Sequence, residues 1–455
     1  MNAQALPNGR LIAYYGDDYT GSAAVMEVMS FAGLPTVLFL DLPTPAQLAR
    51  FADYRAIGIA GIARSQSPGW MDSHLPPIFA ALCGFGAAIT HYKVCSTFDS
   101  APHVGSIGRA VELAVPALGG TWHPMVVAAP ALGRYQAFGN LFGTIGTKAY
   151  RLDRHPVMAH HPVTPMDEAD LGRHLARQTE IPNGLVDMLA LWSGRGDAAL
   201  AEARAQGGQI VSLDVVDERT LAEVGRLIWQ NRGERLLAIG SQGVEYALIA
   251  YWRSVGLLPA APENIAALPA ERMIAASGSC SPITAAQIAV AGEQGFELIA
   301  VNATHAVDLA LWQHEIAQAE LAALTALAAG RDPLLFTARG PSDPAVAALE
   351  AAIASSGVSA GEVNARIGNG LGRAVSNLLR QTGIRRAVIA GGDTSGHAAQ
   401  CLGIYALEAK TPLAPGAPLC RAHSDDAAMD GIEIALKGGQ GGAPDFFAAA
   451  KRGRA

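Results

Sequence analysis

The stretch from residue 11 to residue 40, LIAYYGDDYTGSAAVMEVMSFAGLPTVLFL, constrains the fold more than any other. Residues 11–15 are a short apolar run, the pattern of a buried strand. GDDYTG follows, and an apolar periodicity over about 22–31 predicts a helix that stops at Gly33-Leu34-Pro35. A second apolar run, residues 36–40, predicts the next strand. Strand, helix, strand is a βαβ unit, and such units build parallel sheets whose ligands sit at the carboxyl ends of the strands. Asp17 and Asp18 fall at that position, between the first strand and its helix. Two roles fit them. Acids near a first turn stabilise a helix by roughly 0.3–1 kcal/mol, with Thr20 or Ser22 as the N-cap. A carboxylate aimed into a cleft would instead take a proton, or hold a polyol or a metal.

The alternation continues along the first half. Strand patterns occupy residues 56–60, 124–129, 210–213 and 236–240, the stretch HYKVCSTFDS spans 91–100, and a helical pattern occupies 107–117. Residues 130–142 are Gly-rich and read as irregular. HHPVTPM, residues 160–166, reads as a proline-punctuated loop leading into a helix from Asp167. Three prolines and many alanines at 257–272 mark an interdomain connection. Beyond it the alternation resumes, with strands at 273–276, 298–301, 334–337 and 386–390, an Ala-rich helix surface at 317–329 and a long helix at 361–381. A chain of 455 residues exceeds one ordinary core. The expected fold class is therefore α/β, with two domains, each a largely parallel sheet flanked by helices. The first is expected to span residues 1–256 and the second 257–455, with the active site in the cleft between them.

Composition narrows the function. Half of the residues are hydrophobic and 16% are charged, which excludes a disordered chain. A formal net charge of −7 disfavours a nucleic-acid backbone as the main partner. Five scattered cysteines, without a CxxC pair, suggest neither a disulfide framework nor a zinc site and point to a reducing cytoplasm. No apolar run reaches the roughly 20 residues a bilayer requires, so no membrane partner is expected. A homo-oligomer is left open.

The second half twice repeats one device. Ala276-Ser277-Gly278-Ser279-Cys280-Ser281 and Ala390-Gly391-Gly392-Asp393-Thr394-Ser395-Gly396 each follow a strand and precede a helix. Glycines let backbone amides approach a ligand, and the helix N-terminus adds partial positive charge, which together suit a phosphate. Gly438-Gly439-Gln440-Gly441-Gly442 could close over the same ligand. No GxxxxGK[ST] is present, and Gly368-Asn369-Gly370-Leu371-Gly372 has the wrong spacing for a dinucleotide fingerprint and reads as close helix packing. In the first half, Asp17, Asp18, Arg64, Lys93, Ser96, Thr97, Asp99 and Arg134 cluster at strand ends. Acids and hydroxyls suit sugar hydroxyls, and Arg and Lys suit a carboxylate or a phosphoryl group. Each residue taken alone would also serve as an ordinary surface or capping residue. His155, His160 and His161 lack helical spacing for a metal and read as loop histidines.

These motifs resemble the four-carbon acid sugar kinase family along nearly the whole chain. GDDYTG resembles its DDFTG opening, and Tyr92-Lys93-Val94-Cys95-Ser96-Thr97 resembles its K-(I/V)-x-S-T segment. HHPVTPM resembles NHPLTPM, GGDTSG resembles GGETSG, and LKGGQGGAPDFF resembles LKSGNFGGEDFF. SGSCSPITAAQI is nearly identical to the opening of the family's nucleotide domain. The resemblance implies transfer of the γ-phosphoryl of ATP to a hydroxyl of a small sugar acid such as threonate, erythronate or 3-oxo-tetronate. It implies that Asp17 or Asp18 orients or deprotonates that hydroxyl, with Lys93 as a further catalytic residue. Arg64, Ser96, Thr97, Asp99 and Arg134 would bind substrate. Ser277, Gly278, Ser279, Gly391, Gly392, Asp393, Thr394 and Gly439 would hold ATP. Mg²⁺ is expected with the phosphates, its protein ligands unnamed. One departure bears on the substrate: where the family continues S-T with L-R-G-N, this chain reads Phe98-Asp99-Ser100-Ala101-Pro102. A cation is replaced by a nearby acid, which implies a different acid such as the branched 3-oxo-isoapionate. The alternative is a non-catalytic binding or regulatory protein on the same fold.

Overall fold

The computed structural model describes residues 5–261 and 266–454, and the side chain of Asp393 lies outside that description. The connection expected at 257–272 falls partly on residues 262–265, which lie outside the described residues. The chain divides into two compact units, Met1–Val37 with Asp41–Pro262, and Leu38–Leu40 with Glu263–Ala455.

In the first unit, parallel strands lie in the order Ala56–Ala60, Ile12–Gly16, Ile89–Lys93, Leu236–Gly240, His123–Val126, Ile210–Leu213 and Asn183–Val186. All five residues of Ile12–Gly16 are buried, as an unbroken apolar run requires when both faces of a parallel strand are covered. Register sets the carboxyl ends side by side. Gly16 stands opposite Ala60 and Lys93, Lys93 opposite Gly240, and Gly240 opposite Val126. The chain places Ala56–Ala60 on one side of the first strand and Ile89–Lys93 on the other. The order of the sheet therefore reverses beside Asp17, where a crevice opens in such sheets.

The second unit repeats this plan. Glu297–Ala300, Pro333–Phe336, Ile274–Ser277, Arg386–Ala390 and Glu433–Lys437 are parallel neighbours in that order. Ser277 stands opposite Ala390, and Ala390 opposite Lys437, so three loops leave the sheet from adjacent strand ends. Two antiparallel strands that the apolar pattern did not announce, Leu419–Ser424 and Ile404–Thr411, extend this sheet. Residues 38–40 group with this unit because Leu38 and Phe39 pair with Leu407 and Ala406.

Several expectations need correction. The first helix runs Tyr19–Phe31 and is capped by Asp18, not by Thr20 or Ser22, which lie inside it. The helix expected from Asp167 is Leu171–Ala176, capped by Asp170. Residues 130–142 are not irregular. They begin a separate antiparallel sheet of Arg134–Ala137, Asn140–Ile145 and Lys148–Arg151. Gly133 and Gly139 obscured the alternation, but they sit at turns. The long helix Ala360–Thr382 is closely packed, as its glycines suggested. A Cβ at Gly370 would lie 2.4 Å from the Trp312 indole nitrogen, and one at Gly372 would lie 2.5 Å from the Ala398 backbone.

Candidate active site

In the first unit the side chains at the aligned strand ends converge. Asp17 is 3% exposed, and the guanidinium of Arg64 grips it with Nη2 donating to Oδ1 at 2.6 Å and Nε donating to Oδ2 at 3.3 Å. Nη1 of Arg64 donates to Asp18 Oδ2 at 2.9 Å, while Asp18 Oδ1 accepts from the Gly21 amide at 2.8 Å. Asp18 thus caps the helix, and Asp17 makes no capping bond. Burial pushes the carboxyl of Asp17 above the ordinary range, against the opposing charge of Arg64. Burial would also discharge Arg64, but Asp17 and Asp18 hold it firmly protonated. Lys93 is buried, with Nζ donating to Val94 O at 2.6 Å. An added Cβ on Gly21 would come within 2.9 Å of Nζ, which places the ammonium at the first turn of the helix.

The segment that departs from the family motif folds onto this cluster. Phe98 is fully buried in a left-handed backbone conformation, φ 55°, rare for a bulky residue. On either side of it, Thr97 Oγ1 donates to Asp99 Oδ1 at 2.5 Å, and Thr164 Oγ1 lies 3.4 Å from Asp99 Oδ2. Asp99 therefore ties the HHPVTPM loop to the strand end. Burial alone would raise its carboxyl, but the charge of Arg64 and the bonds from Thr97 and Cys95 hold it below the ordinary range. Ser96 is half-buried and takes no part in these bonds.

Arg134 is carried by the separate sheet, and burial lowers its guanidinium from the ordinary value. That sheet is anchored by buried Asp214, which accepts from the amides of Phe138, Gly139 and Met188 at 2.5, 3.0 and 3.1 Å. Arg134 Nη1 donates only to the backbone oxygens of Leu132 and Gly133, and among the described residues its charge meets no carboxylate. His155, read as a loop histidine, sits beside it. Its Nδ1 accepts from the amides of Val157 and Met158, both at 3.2 Å, so Nε2 carries the hydrogen, and that buried N–H has no partner among the described residues. Burial and the neighbouring Arg134 keep the ring neutral.

In the second unit the three glycine loops meet. A Cβ on Gly278 would lie 2.3 Å from Thr394 Oγ1, and one on Gly439 would lie 2.7 Å from Ser279 Oγ. Gly391 has φ +124°, and its Cβ would lie 3.4 Å from the Ser279 amide. A Cβ on Gly392 would meet nothing within 4 Å. Ser277 Oγ accepts from the Ser279 amide at 3.3 Å, and Ser281 caps the helix Pro282–Glu293. Serine and threonine hydroxyls, helix starts and glycine backbone thus line one small space, chemistry that fits a polyphosphate.

Comparison with known proteins agrees with this division. A family model described as a sugar-binding N-terminal domain matches residues 12–248, and one described as a nucleotide-binding C-terminal domain matches residues 274–447. The chain belongs to the four-carbon acid sugar kinase family. A 3-oxo-isoapionate kinase of Paraburkholderia graminis is 48% identical to this kinase over 453 residues, covering 100% of this chain and 96% of that one. A 3-oxo-tetronate kinase of Cupriavidus necator is 29% identical over 458 residues, covering 99% of each. The crystal structure of a Haemophilus influenzae protein of the DUF1537 family matches with a TM-score of 0.73 at 26% identity, over 96% of this chain and 99% of that one.

Sequence reasoning missed several residues of this kinase. Cys95 and Thr164 lay unremarked inside motifs already noted, and His155 was set aside. Lys437 had a signal, because it is the lone cation ending the apolar strand Glu433–Lys437 directly before a glycine loop.

Proposed function

We propose that this kinase transfers the γ-phosphoryl of ATP to a hydroxyl of a branched 3-oxo sugar acid of the 3-oxo-isoapionate type. The observation that carries the substrate is the 48% identity over the whole chain to a 3-oxo-isoapionate kinase, against 28–31% for the 3-oxo-tetronate kinases. Asp17 is the proposed base or orienting group, with Arg64 fixing its carboxylate and Lys93 supplying positive charge nearby. The charge of Arg64 is already met by the two acids, so Arg134 is the better anchor for the substrate carboxylate, with the neutral His155 Nε2–H as a second donor. The proposed role of Ser96, Thr97 and Asp99 is to contact the substrate from this strand end. Ser277, Gly278, Ser279, Gly391, Gly392, Thr394 and Gly439 are the proposed nucleotide contacts. ATP supplies the phosphoryl group, and bound Mg²⁺ would neutralise its charge. Among the described residues no three His, Cys, Asp or Glu side chains converge to hold a metal. Mg²⁺ is therefore expected to arrive with the phosphates, as such ions usually do. The free cysteines fit a reducing cytoplasm, and no helix among the described residues is long and apolar enough to cross a membrane.

The test is a coupled assay of ADP release over a panel of sugar acids. We expect 3-oxo-isoapionate to give a higher kcat/KM than 3-oxo-tetronate, threonate or erythronate, and chelation of Mg²⁺ to abolish turnover. Absence of ADP release with every acid would favour a non-catalytic binding protein. The nucleotide placement has its own test. A Cβ at Gly392 meets no protein atom within 4 Å, so the melting temperature of Gly392→Val should hold, while the new side chain should weaken ATP binding. Unchanged ATP affinity by calorimetry would move the phosphates elsewhere.

A further inference from the structure

The last glycine loop, residues 438–442, is held by its carbonyl oxygens. Gly438 O accepts from Lys437 Nζ at 2.9 Å. Gly439 O accepts from Thr284 Oγ1 at 3.0 Å and from Ser281 Oγ. Gly441 O accepts from Lys437 Nζ at 3.2 Å and from Gln287 Nε2 at 3.0 Å. Gln287 Nε2 also donates to Ala443 O at 2.9 Å. Ser281, the N-cap of Pro282–Glu293, and Thr284 and Gln287 within that helix are spaced three apart, so each neighbours the next on the helix surface.

Pinning those oxygens orients the amides. In a planar trans peptide the C=O of one residue points opposite to the N–H of the next, and no described peptide bond is cis. With the oxygens of Gly438, Gly439 and Gly441 turned onto the helix and Lys437, the N–H groups of Gly439, Gln440 and Gly442 turn away from them. Among the described residues none of these three amides has an acceptor in the chain. Three backbone donors are thus left unused in the loop whose Gly439 packs against Ser279, and free loop amides of this kind suit an anion.

Lys437 is the hub. Its side chain is fully buried, and its third donor goes to Thr284 Oγ1 at 3.2 Å. Its backbone oxygen accepts from the amide of Gly391 at 2.8 Å, so the residue touches two of the three loops. The groups facing the ammonium are the hydroxyl of Thr284, two loop carbonyls and, 5.7 Å away, the ring of Phe446. Among the described residues no carboxylate lies within ion-pair distance.

We infer that Lys437 is a positioning residue for the nucleotide: with Thr284 and Gln287 it clamps the 438–442 loop so that its amides face the phosphates, and its unmatched charge is balanced only when they are bound. This rests on the nucleotide reading of the second unit. Burial lowers the amine to about 8. Above that pH the free protein loses the ammonium, whereas a bound anion restores it, so binding near pH 8.5 takes up protons.

The experiment is calorimetry of ADP binding to the full-length enzyme at pH 8.5, in two buffers of different ionisation enthalpy. The expected result is proton uptake in the parent, none in Lys437→Met, and a Kd for ADP raised roughly 10- to 100-fold in the variant. The KM for ATP should rise from pH 7 to pH 9 in the parent and stay flat in Lys437→Met, with the KM for the sugar acid unchanged in both. Thr284→Val should raise the KM for ATP by a smaller factor and serves if Lys437→Met does not fold. A parent that binds ADP without proton uptake, or a variant with parental affinity, overturns the clamp. A parent that binds no ADP overturns the nucleotide reading itself.

Discussion

Asp17→Asn should lower kcat by roughly 10²- to 10⁴-fold, the usual worth of a general base, with little change in the KM for ATP. The geometry separates the two acids. Asp18 spends one oxygen on the Gly21 amide and the other on Arg64, and is half-exposed. Asn is itself a good N-cap, so Asp18→Asn should cost under about 1 kcal/mol and leave turnover within a few-fold of the parent. Asp17 caps nothing. Arg64 takes one lone pair from each of its oxygens and leaves others free to meet a substrate hydroxyl. Asn keeps the size and one acceptor but cannot take a proton. A pH profile adds a second readout. A base works ionised, and burial raises this carboxyl, so parental activity should fall as pH drops through a value above the ordinary carboxylate range. That acidic limb should vanish from the residual activity of Asp17→Asn. Steady-state turnover of both variants decides the matter, and if both retain parental kcat, neither acid is the base.

Glu245→Ala should destabilise the first unit by about 1–3 kcal/mol. Glu245 Oε1 lies 2.7 Å from His91 Nδ1, both side chains are fully buried, and His91 Nε2 lies 3.1 Å from Gly240 O. Each ring nitrogen thus has a partner, Glu245 on one side and the Gly240 carbonyl on the other. Removing Glu245 alone leaves Nδ1 of a buried ring without its partner. The pair also bears on the site, because Gly240 O accepts from the Val94 amide at 2.7 Å, one residue beyond Lys93. Replacing both partners by leucine should cost less than the two single losses summed, because no orphaned polar group remains. Urea unfolding followed by tryptophan fluorescence measures this, with Trp252 on the same helix as Glu245. An unfolding midpoint for Glu245→Ala equal to the parent's would show that the pair does not hold the unit together.

What the sequence determined by itself was whatever rests on local order. Unbroken apolar runs such as residues 11–15 announced buried strands, and GDDYTG, SGSCSP and GGDTSG marked strand-to-helix turns. The glycines of Ala360–Thr382 were legible as packing because their spacing excluded a dinucleotide loop. Register and pairing were decided elsewhere. Nothing local says that Lys93 stands beside Gly16, or that Ser277, Ala390 and Lys437 end adjacent strands. The sheet that carries Arg134 was read as irregular because its stability comes from buried Asp214, some 75 residues away in the chain. His91 with Glu245, and Lys437 with the 281–287 helix face, were invisible for the same reason. A buried charge has no characteristic neighbours along the chain. Its partner is selected by the desolvation it must offset, and only the tertiary structure brings that partner within reach.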